Sequence, residues 1–406
     1  MGERMEAFLS ALLLQAGFNT TLVSLGAALL GASAGAIGTF VLLRKRSLVS
    51  DAISHATLPG LAGAFIAMAL WTGNGRWMPG LLVGSALSAA LGILAVEWIT
   101  RRTRLTEDTA IGAVLSVFFG FGTVIVTVIQ SLSTGGQAGI TGFLVGSTAG
   151  MLRSEAELIA VTAALLGVAI FLLRRPFTLV CFDQDYAATR GIDVRLTDLA
   201  MMGLTLAVTV IGLKVAGLVL IVALIIIPPV AARFWTNRPE RMVVVASAIG
   251  AVSAYLGAVI SSTGPGLPTG ALIVLVAFAL FSVSLVFSPV RGLLAGTIER
   301  VVLSRRIHER QGLLALARGE PIHDPLTRRV LRRRGYVRAD GVATEAGGRA
   351  ASAAVLDEAL WAAYRRRFPD EAAAEPRQGL VPIADAVPPD LLATLRGELR
   401  PSGARA

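Results

Sequence analysis

The chain has 406 residues, of which 54% are hydrophobic and only 16% charged, against roughly 25% charged in soluble domains. So much apolar surface excludes an ordinary soluble protein and points to a membrane as the solvent. The net charge of +10 would suit a nucleic-acid partner, but Arg and Lys also collect in the cytoplasmic loops of membrane proteins, which accounts for most of it.

In chain order, Met1 to Gly17 carries both charge signs and reads as a short amphipathic lead-in. The apolar stretch from Phe18 to Leu43 ends in Arg44-Lys45-Arg46. That polarity is the reverse of a signal peptide, so the stretch is expected to be a first spanning helix. At about 20 apolar residues per span, about nine candidates follow: roughly 18–43, 49–71, 79–100, 109–131, 155–173, 195–213, 217–235, 241–262 and 269–288. Arg44-Lys45-Arg46, Arg101-Arg102-Thr103-Arg104, Arg174-Arg175, the stretch Arg233 to Arg241, and Arg291 fall on alternate turns. The loops Thr72 to Met78, Ser131 to Arg153 and Ser262 to Pro268 are poor in charge. The positive-inside rule then puts the N-terminus outside and the C-terminus in the cytoplasm. Small residues such as Gly31-Ala-Ser-Ala-Gly35 predict close helix packing. Lys214-Val-Ala-Gly217 joins two apolar runs with almost no loop, as a tight hairpin or a broken helix, and Pro228-Pro229 interrupts the second run. Two domains are expected: an all-α polytopic membrane domain over 1–290 and a soluble-type domain over 291–406.

A charge inside a span costs about 2.5–3.5 kcal/mol on insertion scales and calls for an explanation. Glu97 lies near a cytoplasmic end, in reach of Arg101, and Lys214 sits at a turn near the interface. Asp51 and His55 differ. They are four residues apart on one apolar helix and share a face, and His55 is the sole histidine of the membrane domain. A carboxylate with an imidazole suits manganese, zinc or ferrous iron. Equally, Asp51 could be an interfacial residue beside Arg44-Lys45-Arg46 and His55 could bond a neighbouring helix, and spacing alone does not choose. The single cysteine, Cys181, falls in an expected cytoplasmic loop and excludes an internal disulfide or a Cys-based zinc cluster.

The stretch Arg46-Ser-Leu-Val-Ser-Asp51-Ala-Ile-Ser-His55-Ala-Thr-Leu-Pro59-Gly60 resembles the second-helix motif of bacterial ABC transporter permeases for manganese, zinc and iron. The resemblance implies that Asp51 and His55 face the translocation path and coordinate the metal. Phe182-Asp183-Gln-Asp-Tyr186-Ala187-Ala-Thr-Arg-Gly191-Ile192 resembles the family's cytoplasmic coupling helix, which implies that Phe182, Asp183, Tyr186, Ala187 and Gly191 meet an ATPase. Locally, Asp183 fits a helix cap and Gly191 a helix end. Lys214-Val-Ala-Gly217, running to Ile227-Pro228-Pro229-Val-Ala-Ala-Arg233, and Gly266-Leu-Pro268-Thr-Gly270 match further motifs, so the resemblance runs from about residue 18 to 288. Pro229 departs from it, standing where relatives often carry a small residue.

What the resemblance implies is the permease subunit of an importer in the bacterial inner membrane. It would carry manganese, zinc or iron and hold no resident cofactor. Its implied partners are a cytoplasmic ABC ATPase subunit, an extracytoplasmic metal-binding protein and a second permease copy or a paralogue. The only lysines, Lys45 and Lys214, do not follow a Gly, so the chain has no P-loop and ATP hydrolysis falls to the partner. No His-Glu-x-x-His or Gly-x-Ser-x-Gly occurs either, against a membrane hydrolase. Two rival readings are a permease for chelated metal or vitamin and a membrane-tethered, metal-responsive transcription regulator.

Beyond residue 300, Asp324-Pro325-Leu326-Thr327-Arg328-Arg329-Val330-Leu331 leads into Arg332-Arg333-Arg334-Gly335-Tyr336. Two short strands are expected over Val337 to Ala343, turning at Asp340-Gly341, before a helix from Thr344 toward Trp361 and Tyr364. This order resembles the winged-helix domain of the diphtheria-toxin-repressor group, down to Leu360-Trp361 and Val387-Pro388-Pro389-Asp390-Leu391. Where that group has His before Arg-Leu-Trp, this chain has Glu358-Ala359-Leu360-Trp361, followed by Ala362, so metal sensing does not carry over. The Arg run at 328–334 could meet DNA phosphates. A surface near anionic lipid or the ATPase is the reading favoured over it.

Overall fold

A computed structural model describes residues 2–72, 77–131, 151–264, 267–374 and 380–399. Most of the charge-poor loops at 73–76 and 132–150, together with Gly266 of the last motif, lie outside the described residues. The described residues form seventeen helices and divide into two compact units, Met1–Leu294 and Ala295–Ala406.

In the first unit the order is α1 (Gly2–Leu12), α2 (Phe18–Leu43), α3 (Ser47–Thr72), α4 (Met78–Arg102), α5 (Glu107–Ser131), α6 (Arg153–Phe182), α7 (Gln184–Thr189), α8 (Val194–Ala216), α9 (Leu218–Trp235), α10 (Pro239–Ser261) and α11 (Thr269–Phe287). Eight of these are long and apolar enough to cross a membrane. The remaining expected span, 217–235, is the shorter apolar helix α9. Gly217, at φ +77°, separates it from α8 with a single residue. Pro228 and Pro229 do not end α9; both lie inside it. The side chain of Lys214 lies outside what is described.

The helix α6 overruns its expected end at 173 by nine residues, so Cys181 sits in its last turn and not in a loop. The cause is tertiary packing: Phe177 and Val180 are fully buried, and Phe177 meets Phe40 edge-on at 5.2 Å. Their burial continues the helix through Arg174-Arg175 and Pro176, which local propensity alone would have ended. Cys181 points its thiol at the Phe40 carbonyl, 3.8 Å away.

Helix α2 is the most buried span. It packs with α6, α8, α9, α10 and α11 around Ile37, Phe40, Phe177, Ile221 and Leu224. A second group, α3, α4 and α5 with part of α8, closes around Ile53, Ala56, Ala89, Ile93 and Ile111. Lipid tails are as apolar as the side chains, so such contacts rest on close fit. Gly31 of α2 and Gly250 of α10 show it: a Cβ on either would strike the other's carbonyl oxygen. Gly60 of α3 and Gly84 of α4 repeat the device, so the glycine closing the α3 motif is a packing residue.

The second unit holds α12 (Leu293–Arg318), which begins just ahead of it, then α13 (Pro325–Arg333), α14 (Glu345–Arg367), α15 (Pro369–Ala374), α16 (Ile383–Ala386) and α17 (Pro389–Leu399). The expected α+β character is not seen. No strand forms among the described residues, and Val337 and Ala343 make one antiparallel bridge. Seven residues around the Asp340-Gly341 turn are too few for a stable ribbon without a third strand. One small core gathers Leu313, Leu331, Val337 and Ala351. Another gathers Leu360, Trp361, Ile383, Val387 and Leu395, with the Trp361 indole N–H donating to the Val381 carbonyl at 3.1 Å.

Candidate metal site and coupling element

Both candidate ligands lie in the first three turns of α3, roughly 6 and 12 Å along its axis from Ser47 at 1.5 Å per residue. The helical rise brings His55 Nε2 to 3.5 Å from Asp51 Oδ1. That is too long for a good hydrogen bond. It does match the separation of two donors held about 2.1 Å from one cation, about 3.0 Å at right angles and about 3.4 Å in a tetrahedron. Three other hydroxyls of these turns are already used. Ser50, Ser54 and Thr57 donate to the carbonyls of Ser47, Ser50 and Ser54 at 2.7, 2.9 and 2.6 Å. Among the described residues neither Arg44 nor Arg46 pairs with Asp51, both being engaged elsewhere.

His55 is held by α5. The Phe119 ring meets its imidazole edge-on, with centroids 4.8 Å apart, and its Nδ1 is buried with no hydrogen-bond partner among the described residues. The pair is not enclosed by the single chain: the Asp51 side chain is 38% exposed and that of His55 20%. Among the described residues no group of three or more His, Cys, Asp or Glu could hold a metal. The protomer therefore offers one carboxylate and one imidazole, short of the four or more ligands a divalent transition metal takes.

The expected coupling element is the short helix α7. Asp183 caps it, accepting from the Tyr186 backbone N–H at 2.9 Å. Gly191, at φ +78°, ends it, with Gly191 N–H bonding the Ala188 carbonyl and Ile192 N–H the Ala187 carbonyl. This double bond pattern around a left-handed glycine is a Schellman end. Phe182 and Tyr186 are exposed, while Ala187 is fully buried in the main core. Ala187 is thus the foot of the element and the aromatic pair its outer face. The Arg190 guanidinium steadies Tyr186, donating to its hydroxyl at 2.9 Å.

Sequence reasoning does not single out the charge lock beside α7. Arg44, capping α2, grips Asp198 of α8 with two bonds of 2.9 and 2.8 Å. Arg46, just before α3, reaches Asp198 at 3.3 Å and Glu107 of α5 at 2.6 Å. Gln184, the first residue of α7, lies within hydrogen-bonding reach of Arg44. A second knot joins Glu97 of α4 to Arg101, as expected, and also to Arg195 of α8, at 3.0 and 2.9 Å. Asp198 falls inside the expected span 195–213, so the rule on intramembrane charge flags it. Its partners, 152 and 154 positions away in the chain, are not readable from local pattern.

Comparison with known proteins agrees with this architecture. The profile of the ABC 3 transport family matches residues 19–288. The manganese transport system membrane protein MntC of Bacillus subtilis is 41% identical over 298 residues, which is 73% of this chain and 67% of that protein. The zinc transport system membrane protein TroC of Treponema pallidum is 37% identical over 67% of this chain and 90% of its own length. Among solved structures, PsaBC from Streptococcus pneumoniae in complex with Fab superposes with a TM-score of 0.60 at 27% identity, over 70% of this chain and 96% of that one. The chain belongs to the ABC 3 transport family, as one of its multi-pass membrane proteins.

Proposed function

We propose that this chain is the membrane permease subunit of an importer for a divalent transition metal (manganese, zinc or iron), and that Asp51 and His55 ligate the ion in passage. The observation that carries it is the 3.5 Å pair on α3, a spacing suited to sharing a cation and too loose to satisfy itself. The relatives named for manganese and zinc transport support the same substrate class. Two donors, one of them well exposed, suit a site completed by a second copy or a paralogue across a shared pathway, with an extracytoplasmic protein delivering the metal. Few protein ligands also suit transport, since a site that binds too well does not release.

Energy comes from a cytoplasmic ABC ATPase seated on α7. The exposed Phe182 and Tyr186 form the contact, and Asp183, Ala187 and Gly191 hold its shape. An outside N-terminus and a cytoplasmic C-terminus in the bacterial inner membrane require an odd number of crossings, so α9 crosses too and brings the eight to nine. The C-terminal unit (the notional domain after residue 290) has the order helix, basic helix, bridge, helix, which supports a winged-helix-like reading. Its Glu358 is not a free metal ligand, since Arg310 and Arg365 hold it at 2.5 and 3.2 Å.

The test is uptake of manganese, zinc and ferrous ions by vesicles carrying the assembled complex. Asp51→Ala and His55→Ala are each expected to lower uptake by roughly tenfold or more, with assembly and basal ATP hydrolysis retained. Wild-type uptake in both variants would remove the assigned role.

A further inference from the structure

The C-terminal unit contains a groove that the transport reading does not use. It lies between α12 and α13, has a volume of about 430 Å³, and is lined by residues of one face of each helix. On α13 and its C-cap these are Leu326, Arg329, Val330, Arg333 and Arg334, the spacing of a single helical stripe. On α12 they are Ser304, Arg305, His308 and Glu309.

The charge is one-sided. Four guanidinium groups line the groove against one carboxylate, and Glu309 spends itself on Arg334 at 3.5 Å. The guanidinium groups of Arg305, Arg329 and Arg333 form no ion pair or hydrogen bond among the described residues. This is unlike Arg310, Arg365 and Arg367 of the same unit, which are paired with Asp357, Glu358 and Glu398. The walls are fixed. Thr327 and Leu331, on the adjoining face of α13, are buried and lie against Gly312 of α12, and His308 ties α12 to α13 through Thr327 Oγ1 at 2.9 Å and Asp324 at 3.1 Å. Between the charges lies an apolar strip of Leu326 and Val330.

We infer that this groove is a binding site for a phosphorylated amphiphilic ligand. Arg305, Arg329 and Arg333 clamp its phosphate oxygens, and Leu326 and Val330 receive its apolar part. Guanidinium suits this task, because its fork of N–H donors matches phosphate in pairs and sheds water readily. The phosphate has two sources with the same chemistry, the headgroup of an anionic lipid and a soluble nucleotide. The inference does not rest on the metal pathway.

The experiment uses the full chain purified in detergent. Its probes are ATP in solution, phosphatidylglycerol in mixed micelles with phosphatidylcholine as the neutral control, and a short DNA duplex. Binding of ATP or of phosphatidylglycerol is expected, weakening as salt rises. The triple variant Arg305→Gln/Arg329→Gln/Arg333→Gln should lose roughly tenfold or more of it, since each charge-assisted bond counts for more than a neutral one. The triple Lys variant should keep only part, as it keeps charge without the fork. ATP binding alone assigns the soluble source, and phosphatidylglycerol binding alone assigns the lipid. Equal affinity in the wild type and the Gln variant, binding of neither probe, or binding of duplex alone would overturn the inference. Circular dichroism of the variants guards against misfolding.

Discussion

At the scale of single residues, the sharpest expectations concern short-range geometry. Asp183 fixes α7 by accepting one backbone N–H, and α7 has only six residues. Asp183→Ala should cost about 1 kcal/mol. That appears as roughly fivefold faster amide exchange across residues 184–189, measurable by mass spectrometry while the spans stay protected. Unchanged exchange there would mean that Ala187 alone anchors the helix. Much of this site was legible in the sequence for a simple reason. Caps, ends and i,i+4 pairs are settled within five residues, so Asp183, Gly191 and the Asp51–His55 face could be read directly. The Arg44–Asp198 grip could not, because nothing local to Asp198 names an arginine at the end of α2. Nor could Phe119, which reaches His55 only through the packing of α5 on α3.

At the scale of elements, the charge lock joins α2, α3, α5 and α8 at the end of the bundle where α7 begins. Arg44 and Asp198 are only 13% and 14% exposed, and breaking a buried pair from one side costs about 3–5 kcal/mol, because the remaining charge is stranded. Asp198→Ala should therefore lower thermal stability more than the double variant Arg44→Gln/Asp198→Asn, and a double-mutant cycle in the purified complex should show positive coupling. Additive effects would count against the lock. Helix boundaries show where sequence pattern runs out. The apolar pattern found the nine helices from α2 to α11 that exclude α7, but α6 runs on to Phe182 because Phe177 and Val180 find partners in α2 and its neighbours. Likewise the Trp235 indole N–H bonds Ser284 of α11 at 2.9 Å, a contact that fixes the end of α9 where hydropathy says little. Crossing by α9 can be checked with single cysteines in a Cys181→Ser background. A cysteine at position 238 should react with impermeant reagent only after the cytoplasmic face is opened, and one at position 267 without that treatment. The reverse pattern at 238 would make α9 re-entrant.

At the scale of the whole molecule, two units with separate cores predict separable roles. Truncation after Leu294 should leave metal uptake in place while removing phosphate-ligand binding. Loss of uptake in a truncated chain that still inserts would tie the two units together functionally. The second unit also carries its own acid sensitivity. The Arg310 guanidinium, through its hydrogen bond first and against a smaller cost of burial, holds the Glu358 carboxyl below its ordinary range. A carboxyl depressed in the folded state lends stability above its unfolded value, about 4.3, and that stability fades as pH falls through the folded value. In a variant with Trp71, Trp77, Trp98 and Trp235 changed to Phe, Trp361 fluorescence should report loosening of α14 on acidification below about pH 4. Glu358→Gln should flatten that response, and an unaltered profile would assign the transition to other carboxyls.

The mutual notch of Gly31 and Gly250 bears on how such a transporter can move. Two backbones in carbonyl contact cannot ratchet past each other by a turn without an overlap that neither side chains nor lipid can absorb. Helices α2 and α10 must therefore travel through the cycle as one stiff spar. Any alternation of access has to be taken up by elements that swing against it, with the single-residue break at Gly217 and the α3–α5 group the parts free to do so.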